Sequence, residues 1–170
     1  YRSEDRTGVE LAGALKNVVA LGCGIAIGQG FGDNTVAALV TRGTVEISRL
    51  GTSLGGRRET FAGLSGIGDL VVTCCSGHSR NRTVGCRVGA GETAAAVLDS
   101  MEQVAEGVMT SKAVQQLCSP GQVERPIAAT VLCLFPEDLP LAECVDQLLI
   151  IHANVRRGEH REPGCYERHL

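Results

Sequence analysis

The stretch Gly8-Val9-Glu10-Leu11-Ala12-Gly13-Ala14-Leu15-Lys16-Asn17-Val18-Val19-Ala20-Leu21-Gly22 constrains this chain most. It is a long apolar run with one cation and one amide at its centre. Leu11, Leu15, Val18, Gly22, Ile25 and Ala26 recur at spacings of three and four, which predicts a helix with an apolar stripe. Lys16 and Asn17 interrupt that surface. An ammonium among apolar residues is costly unless it meets a partner or a polar site. The plain alternative is a lysine that snorkels to water along its methylene stem. The rest of the chain has to decide between the two.

The 170 residues suffice for one domain with a core of its own. Hydrophobic residues make up 44% and charged residues 21%, a globular balance. Aromatic content is only 3%, with no Trp, so the core has to be aliphatic and built with Ala and Gly. A net charge of -3 gives no broad basic face, and no nucleic-acid partner is expected. No charge-free apolar run reaches the about 18 residues of a membrane span, so no membrane partner is expected either. The chain opens on Tyr1 with no signal-peptide pattern and reads as part of something longer. Its eight cysteines form no C-x-x-C pair, and His78, His152, His160 and His169 lack ligand-like spacing to them. No metal is expected. Most of these cysteines fall in apolar helical patterns, where free Cys acts as a small hydrophobe. A reduced, intracellular protein is the expectation.

Along the chain, Gly28-Gln29-Gly30-Phe31-Gly32-Asp33-Asn34 reads as a loop. It does not fit G-x-G-x-x-G, and no strand precedes it. Asn34 or Thr35 is positioned to cap a helix from Val36 to Leu54, which Gly55-Gly56 ends. Thr60 to Leu64 reads as a short helical turn. Asp69 follows Gly66-Ile67-Gly68 directly, in the first turn of a helix where the dipole favours an acid. Ser79 can cap a helix whose first turn carries Arg80, Asn81 and Arg82. Cations oppose the dipole there, and the conflict disappears if an anion binds to the free N–H groups and guanidinium forks. Arginines that merely splay into water are the bland alternative. Helices follow from Glu92 to Met101, Val108 to Cys118, Pro126 to Phe135 and Leu141 to Ile151, with Val104 to Gly107 as punctuation. Pro126 suits a first helical position. Residues 152–170 read as a disordered tail. With no convincing strand and no repeat, the sequence predicts an all-α domain of about seven or eight helices.

Four segments taken together carry a resemblance: Gly13-Ala14-Leu15-Lys16-Asn17, Gly66-Ile67-Gly68-Asp69-Leu70, Ser79-Arg80-Asn81-Arg82-Thr83-Val84-Gly85 and Val104-Ala105-Glu106-Gly107. In this order and at these separations the chain resembles the NAD(P)-dependent glycerol-3-phosphate dehydrogenases, from Gly8 to about Leu149. Arg82-Thr83-Val84-Gly85 and Ser100-Met101-Glu102-Gln103 look closest to plant and algal members, and the chain as a whole resembles these and the bacterial-type members. Cys118-Ser119-Pro120-Gly121-Gln122 departs from the family pattern, and the tail matches nothing in it.

The resemblance implies a multi-helix bundle like the C-terminal domain of 6-phosphogluconate dehydrogenase. The Rossmann domain would be absent from this chain, with residues 1–7 as the interdomain crossing and residues 8–151 as the helical substrate domain. It implies interconversion of sn-glycerol 3-phosphate and dihydroxyacetone phosphate, with NAD or NADP held mainly by the missing N-terminal domain. Lys16 then matches the proton donor and acceptor, and Asp69 the acid that sits with it. Asn17 and Thr73 match polar positions that orient the site. Ser79, Arg80 and Asn81, with Lys16 and Asp69, match the residues that hold the phosphorylated substrate. Arg80, Val104 and Glu106 match positions that touch the cofactor. A homodimer and a cytoplasmic or plastid location belong to the same set of expectations. Two other readings stand beside it: a helical dimerisation or interaction domain without catalysis, and a related β-hydroxyacid or polyol dehydrogenase.

Overall fold

The computed structural model describes residues 2–101, 105–117, 126–135 and 140–154, with 149–154 described by backbone alone. Among the described residues there are nine α-helices and no strand. They are α1 (Arg6–Gly28), α2 (Asp33–Ser53), α3 (Arg58–Phe61), α4 (Asp69–Cys75), α5 (Arg80–Gly89), α6 (Ala94–Asp99), α7 (Glu106–Leu117), α8 (Pro126–Leu134) and α9 (Leu141–Asn154). A single wide π turn, Leu64–Gly68, leads directly into α4.

The opening helix is longer than the apolar run suggests, and it is the axis of the bundle. Asp5 caps it, accepting a hydrogen bond from the Gly8 N–H, so Arg6 and Thr7 already belong to its first turn. From Asn17 to Ala26 every residue of α1 is buried. The stripe read from the spacing is one part of a helix wrapped on all sides, as an all-round apolar helix has to be. By length and apolarity α1 could cross a membrane, but 67% of that window is buried inside the domain. Helices α2, α4, α5, α7, α8 and α9 all pack on it.

The α1–α5 contact is a backbone approach permitted by glycine. A Cβ added at Gly24 would lie 2.2 Å from the Arg82 carbonyl oxygen, and one at Gly85 would lie 2.2 Å from that of Leu21. This close crossing sets where α5 begins, and so where Ser79 and Arg80 lie.

Several boundaries shift from the sequence expectation. Helix α2 starts at Asp33, not at Val36, with Gly32 at its N-cap and no side chain capping it. Asn34 and Thr35 therefore lie inside the helix. Gly55, at φ 97°, ends it in the left-handed conformation expected of a glycine there. Helix α6 is shorter than Glu92 to Met101 because Thr93 caps it, accepting from the Ala96 N–H. Helix α7 starts at Glu106, so Glu106 and Gly107 form its first turn and not a break before it. Helix α9 runs on to Asn154, three residues into the stretch read as a tail; the remainder of that stretch lies outside the described residues.

One buried carboxylate joins distant elements. Glu46 of α2 accepts hydrogen bonds from the N–H groups of Ile127 and Ala128, both at 2.9 Å. It thus caps α8 from another helix, where Pro126 has no N–H to offer.

Candidate active site

Lys16 and Asn17 are neighbours on α1, and about 100° of helical turn separates their side chains. That angle sends them to two different helices. The Lys16 ammonium donates to Asp69 Oδ2 of α4 at 2.5 Å. The Asn17 amide donates to Glu106 Oε2 of α7 at 3.0 Å and to the Gly13 carbonyl at 3.3 Å. Lys16 is therefore paired, not a bystander that snorkels to water. Its side chain is 20% exposed and that of Asp69 39%, so the pair is open to a small molecule. One of the three ammonium hydrogens goes to Asp69, which leaves two for other acceptors.

Asp69 stands at the start of α4, where the π turn hands over to the helix. The first-turn position lowers the cost of its charge through the dipole. Its other oxygen, Oδ1, faces the Thr73 hydroxyl at 3.4 Å, while that hydroxyl donates to the Asp69 carbonyl at 2.7 Å. Thr73 thus flanks the carboxylate one turn along the helix and does not reach Lys16 itself.

The helix start at Ser79 forms as the capping logic requires. Ser79 Oγ accepts from the Arg82 N–H at 3.3 Å. Arg80 is the first helical residue, its side chain is 52% exposed, and its Nη2 stands 4.0 Å from Glu106 Oε1. Asn81 is buried, and its Oδ1 accepts from the Gly107 N–H at 2.9 Å. It ties α5 to the first turn of α7, and only its amide nitrogen remains to meet a ligand. Val104 lies outside the described residues.

Two features of this region were not visible in the sequence. Glu106 links both halves of the site, with one oxygen on Asn17 and the other toward Arg80. An acid in the first turn of a helix was the signal, hidden by reading Val104 to Gly107 as a break. The second is Arg82, whose Nε is the one buried side-chain nitrogen or oxygen without a hydrogen-bond partner among the described residues. It lies against a thiol cluster beneath α5. A hydrogen bond with Cys23, together with burial, pushes the Cys74 thiol up, and the Arg82 guanidinium pulls the other way. Burial pushes the Cys86 thiol up as well, again opposed by Arg82. Cys23, Cys74, Cys133 and Cys144 are buried and act as core residues, whereas Cys75 is exposed.

Among the described residues, then, a strand-free bundle gathers a paired lysine, an oriented amide and an arginine-bearing helix start. The family described as NAD-dependent glycerol-3-phosphate dehydrogenase C-terminus matches residues 5–146. The chain belongs to that family, as its C-terminal domain. It is 50% identical over 149 residues to the glycerol-3-phosphate dehydrogenase [NAD(P)+] of Staphylococcus epidermidis, covering 88% of this chain and 45% of that protein. The same identity and coverages hold for the glycerol-3-phosphate dehydrogenase [NAD(P)+] of Prosthecochloris aestuarii. A crystal structure of glycerol-3-phosphate dehydrogenase from Coxiella burnetii superposes with a TM-score of 0.83 at 39% identity, over 88% of this chain and 46% of that one. The chain therefore spans less than half the length of the curated relatives it matches.

Proposed function

We propose that this chain supplies the substrate-binding and proton-transfer half of an NAD(P)-dependent glycerol-3-phosphate dehydrogenase, an oxidoreductase acting on a CH–OH group. The single observation that carries the reading is the Lys16–Asp69 pair, open to solvent and backed by the arginine-bearing start of α5. The reaction takes sn-glycerol 3-phosphate and NAD(P)+ to dihydroxyacetone phosphate, NAD(P)H and a proton. A nicotinamide held by a cofactor-binding domain would supply or take the hydride at C2. In reduction, negative charge builds on the carbonyl oxygen, where a Lys16 N–H stabilises it and passes a proton. In oxidation Lys16 takes the hydroxyl proton. Asp69 holds the ammonium in place, and Thr73 flanks Asp69. Arg80, Ser79 and the amide nitrogen of Asn81 receive the phosphate dianion at the free N–H groups of the α5 start.

The described residues contain no sheet on which a dinucleotide could be seated. What they offer such a group is peripheral: the exposed Arg80 guanidinium and the exposed Glu106 carboxylate, with Val104 nearby in sequence. The reading therefore needs a separate cofactor-binding half, and its setting would be the cytoplasm or a plastid. Joined to such a domain, the Lys16→Ala variant should lose about 100- to 10,000-fold in turnover, the usual weight of a general acid. Near-full turnover would sink the role given to Lys16.

A second reading, an interaction domain without catalysis, is favoured by one feature. Leu64, Ile67, Val71 and Val72 lie exposed along the π turn and α4, and Leu64 and Val72 are 67% and 65% accessible. Such a cluster suits a second copy of the chain. If a homodimer forms there, Val72→Asp should convert it to a monomer in analytical ultracentrifugation; an unchanged sedimentation coefficient removes the reading.

A further inference from the structure

The turn that brings Asp69 to Lys16 is wound differently from the helices around it. Leu64–Gly68 is a single π turn packed on α1 and α3. The Gly68 N–H bonds to the Gly63 carbonyl, five residues earlier, at 3.3 Å. The Asp69 N–H bonds back to the carbonyls of Leu64 and Gly66, five and three residues earlier, and skips Ser65, the acceptor an α-helix would use. The turn thus holds one residue more than α geometry allows. One residue corresponds to about 100° of helical rotation. The same segment wound as an α turn would swing the Asp69 side chain off Lys16.

The hold on this register comes from inside the turn, since Leu64 and Ile67 lie exposed on its outer face. Gly66 is buried against Phe61, so closely that an added Cβ would overlap the Phe61 carbonyl oxygen and carbon. Phe61 has no room to draw back. It is 1% exposed, and its ring tip fills the space where a Cβ on Gly51 or Gly56 would stand. Backbone meets backbone here, with no flexible side chain to yield. The neighbouring glycines differ. A Cβ on Gly63 would come no nearer than 3.5 Å to the Thr60 carbonyl oxygen, and one on Gly68 no nearer than 3.5 Å to Leu64 Cδ2. Of these three glycines, Gly66 alone is required for space.

We propose that Gly66 is a positioning residue: its seat against the Phe61 carbonyl keeps the π register that holds Asp69 on Lys16. It acts through Asp69 and not on the substrate. The inference rests on the function proposed above, in which that pair is the proton-transfer site. A methyl at Gly66 has to displace something. Phe61 is fixed from both sides, and Leu70, 1% exposed, anchors α4 in the core. The turn, free on its outer face, is the part that moves, and Asp69 moves with it. The α5 start keeps its place, because its crossing with α1 sets it.

The test compares Gly66→Ala with Gly68→Ala, in the chain alone and in the chain joined to a cofactor-binding domain. In the chain alone the pair is read directly by NMR, as the nitrogen–carbon scalar coupling across the hydrogen bond from Lys16 Nζ to the Asp69 carboxylate. Wild type and Gly68→Ala should show that coupling, and Gly66→Ala should lose it. In the joined form Gly66→Ala should lose about 100-fold in kcat, the effect of misplacing a reacting group by about 1 Å, with kcat/KM falling equally. Gly68→Ala should turn over like wild type. A folded Gly66→Ala that keeps the coupling and shows only a lower Tm overturns the proposal, as does absence of the coupling in wild type. Should Gly66→Ala fail to fold, Gly68→Ala decides: retention of the coupling supports the proposal, whereas its loss shows that the turn needs flexible glycines and not space at Gly66, and overturns it. Loss of the coupling in Gly66→Ala with full turnover would remove the proton-transfer reading of Lys16 and leave the positioning of Asp69 by Gly66 standing.

Discussion

At the residue scale, the chain places its carboxylates where several donors converge. Asp5 is the clearest case. Its Oδ1 accepts from the Gly8 N–H at 2.9 Å, and its Oδ2 accepts from the Arg57 N–H at 2.7 Å and the Thr60 hydroxyl at 2.6 Å. These hydrogen bonds, that from Thr60 foremost, hold the Asp5 carboxyl below its ordinary value of 3.8. A carboxyl lowered in the folded state adds stability that is complete above its unfolded pKa and is lost as pH falls through the folded one. The thermal midpoint should therefore drop below about pH 4, and Asp5→Asn should flatten that acid limb while lowering the midpoint at neutral pH. A wild-type acid limb in the variant would contradict the assignment. The thiols provide a second check at this scale. Exposed Cys75 should react with iodoacetamide well before Cys74, which is buried and pushed up by its hydrogen bond with Cys23. Peptide mapping after brief labelling of the native chain distinguishes the two neighbours.

At the scale of elements, what can be read locally separates from what only folding creates. Helix existence was legible because apolar spacing, Gly55 and the Ser79 cap are signals carried within a few residues. Helix starts without a side-chain cap were not: α2 begins at Asp33 behind Gly32, whose backbone leaves no signature stronger than those of Asn34 and Thr35. The resemblance sets Asp69 beside Lys16, and the structure pairs them; the link from Asn17 to Glu106 is not part of that expectation. Lys16 meets Asp69 across 53 residues and Asn17 meets Glu106 across 89, and no local pattern encodes such contacts. The cap that Glu46 makes on α8 is likewise tertiary, at separations of 81 and 82 residues. It yields an element-scale prediction. Glu46→Gln turns one acceptor into a donor facing an N–H at the start of α8. The loss should be about 1–3 kcal/mol, seen as a lower urea midpoint with an unchanged m-value. Gly85→Ala should cost at least about as much, since its new methyl would press on the Leu21 carbonyl along the α1–α5 crossing.

At the scale of the whole molecule, the division of labour follows from which helices meet at the site. Helices α1, α4, α5 and α7 all come from this chain, so the groups proposed to hold the phosphate and the C2 hydroxyl are placed without any other domain. Hydride transfer needs a cofactor, and the described residues provide no sheet to seat one. Binding and turnover should therefore separate in the isolated chain. Glycerol 3-phosphate at about a hundred times its Kd should stabilise the fold by about 2.7 kcal/mol, provided that it binds the folded state alone. For a domain of this size that is a rise of roughly 5–10 °C in Tm. Glycerol at the same concentration should leave Tm unchanged, because the dianion is the group that the α5 start is proposed to hold. Arg80→Ala should remove most of the shift, whereas Lys16→Ala should keep part of it, since the arginine and the helix N–H groups still meet the phosphate. Dihydroxyacetone phosphate with NADH should give no cofactor oxidation until a cofactor-binding domain is supplied. If inorganic phosphate reproduced the whole shift at equal occupancy, the site would be a simple anion site. The proton-transfer role of Lys16 would then lose its basis.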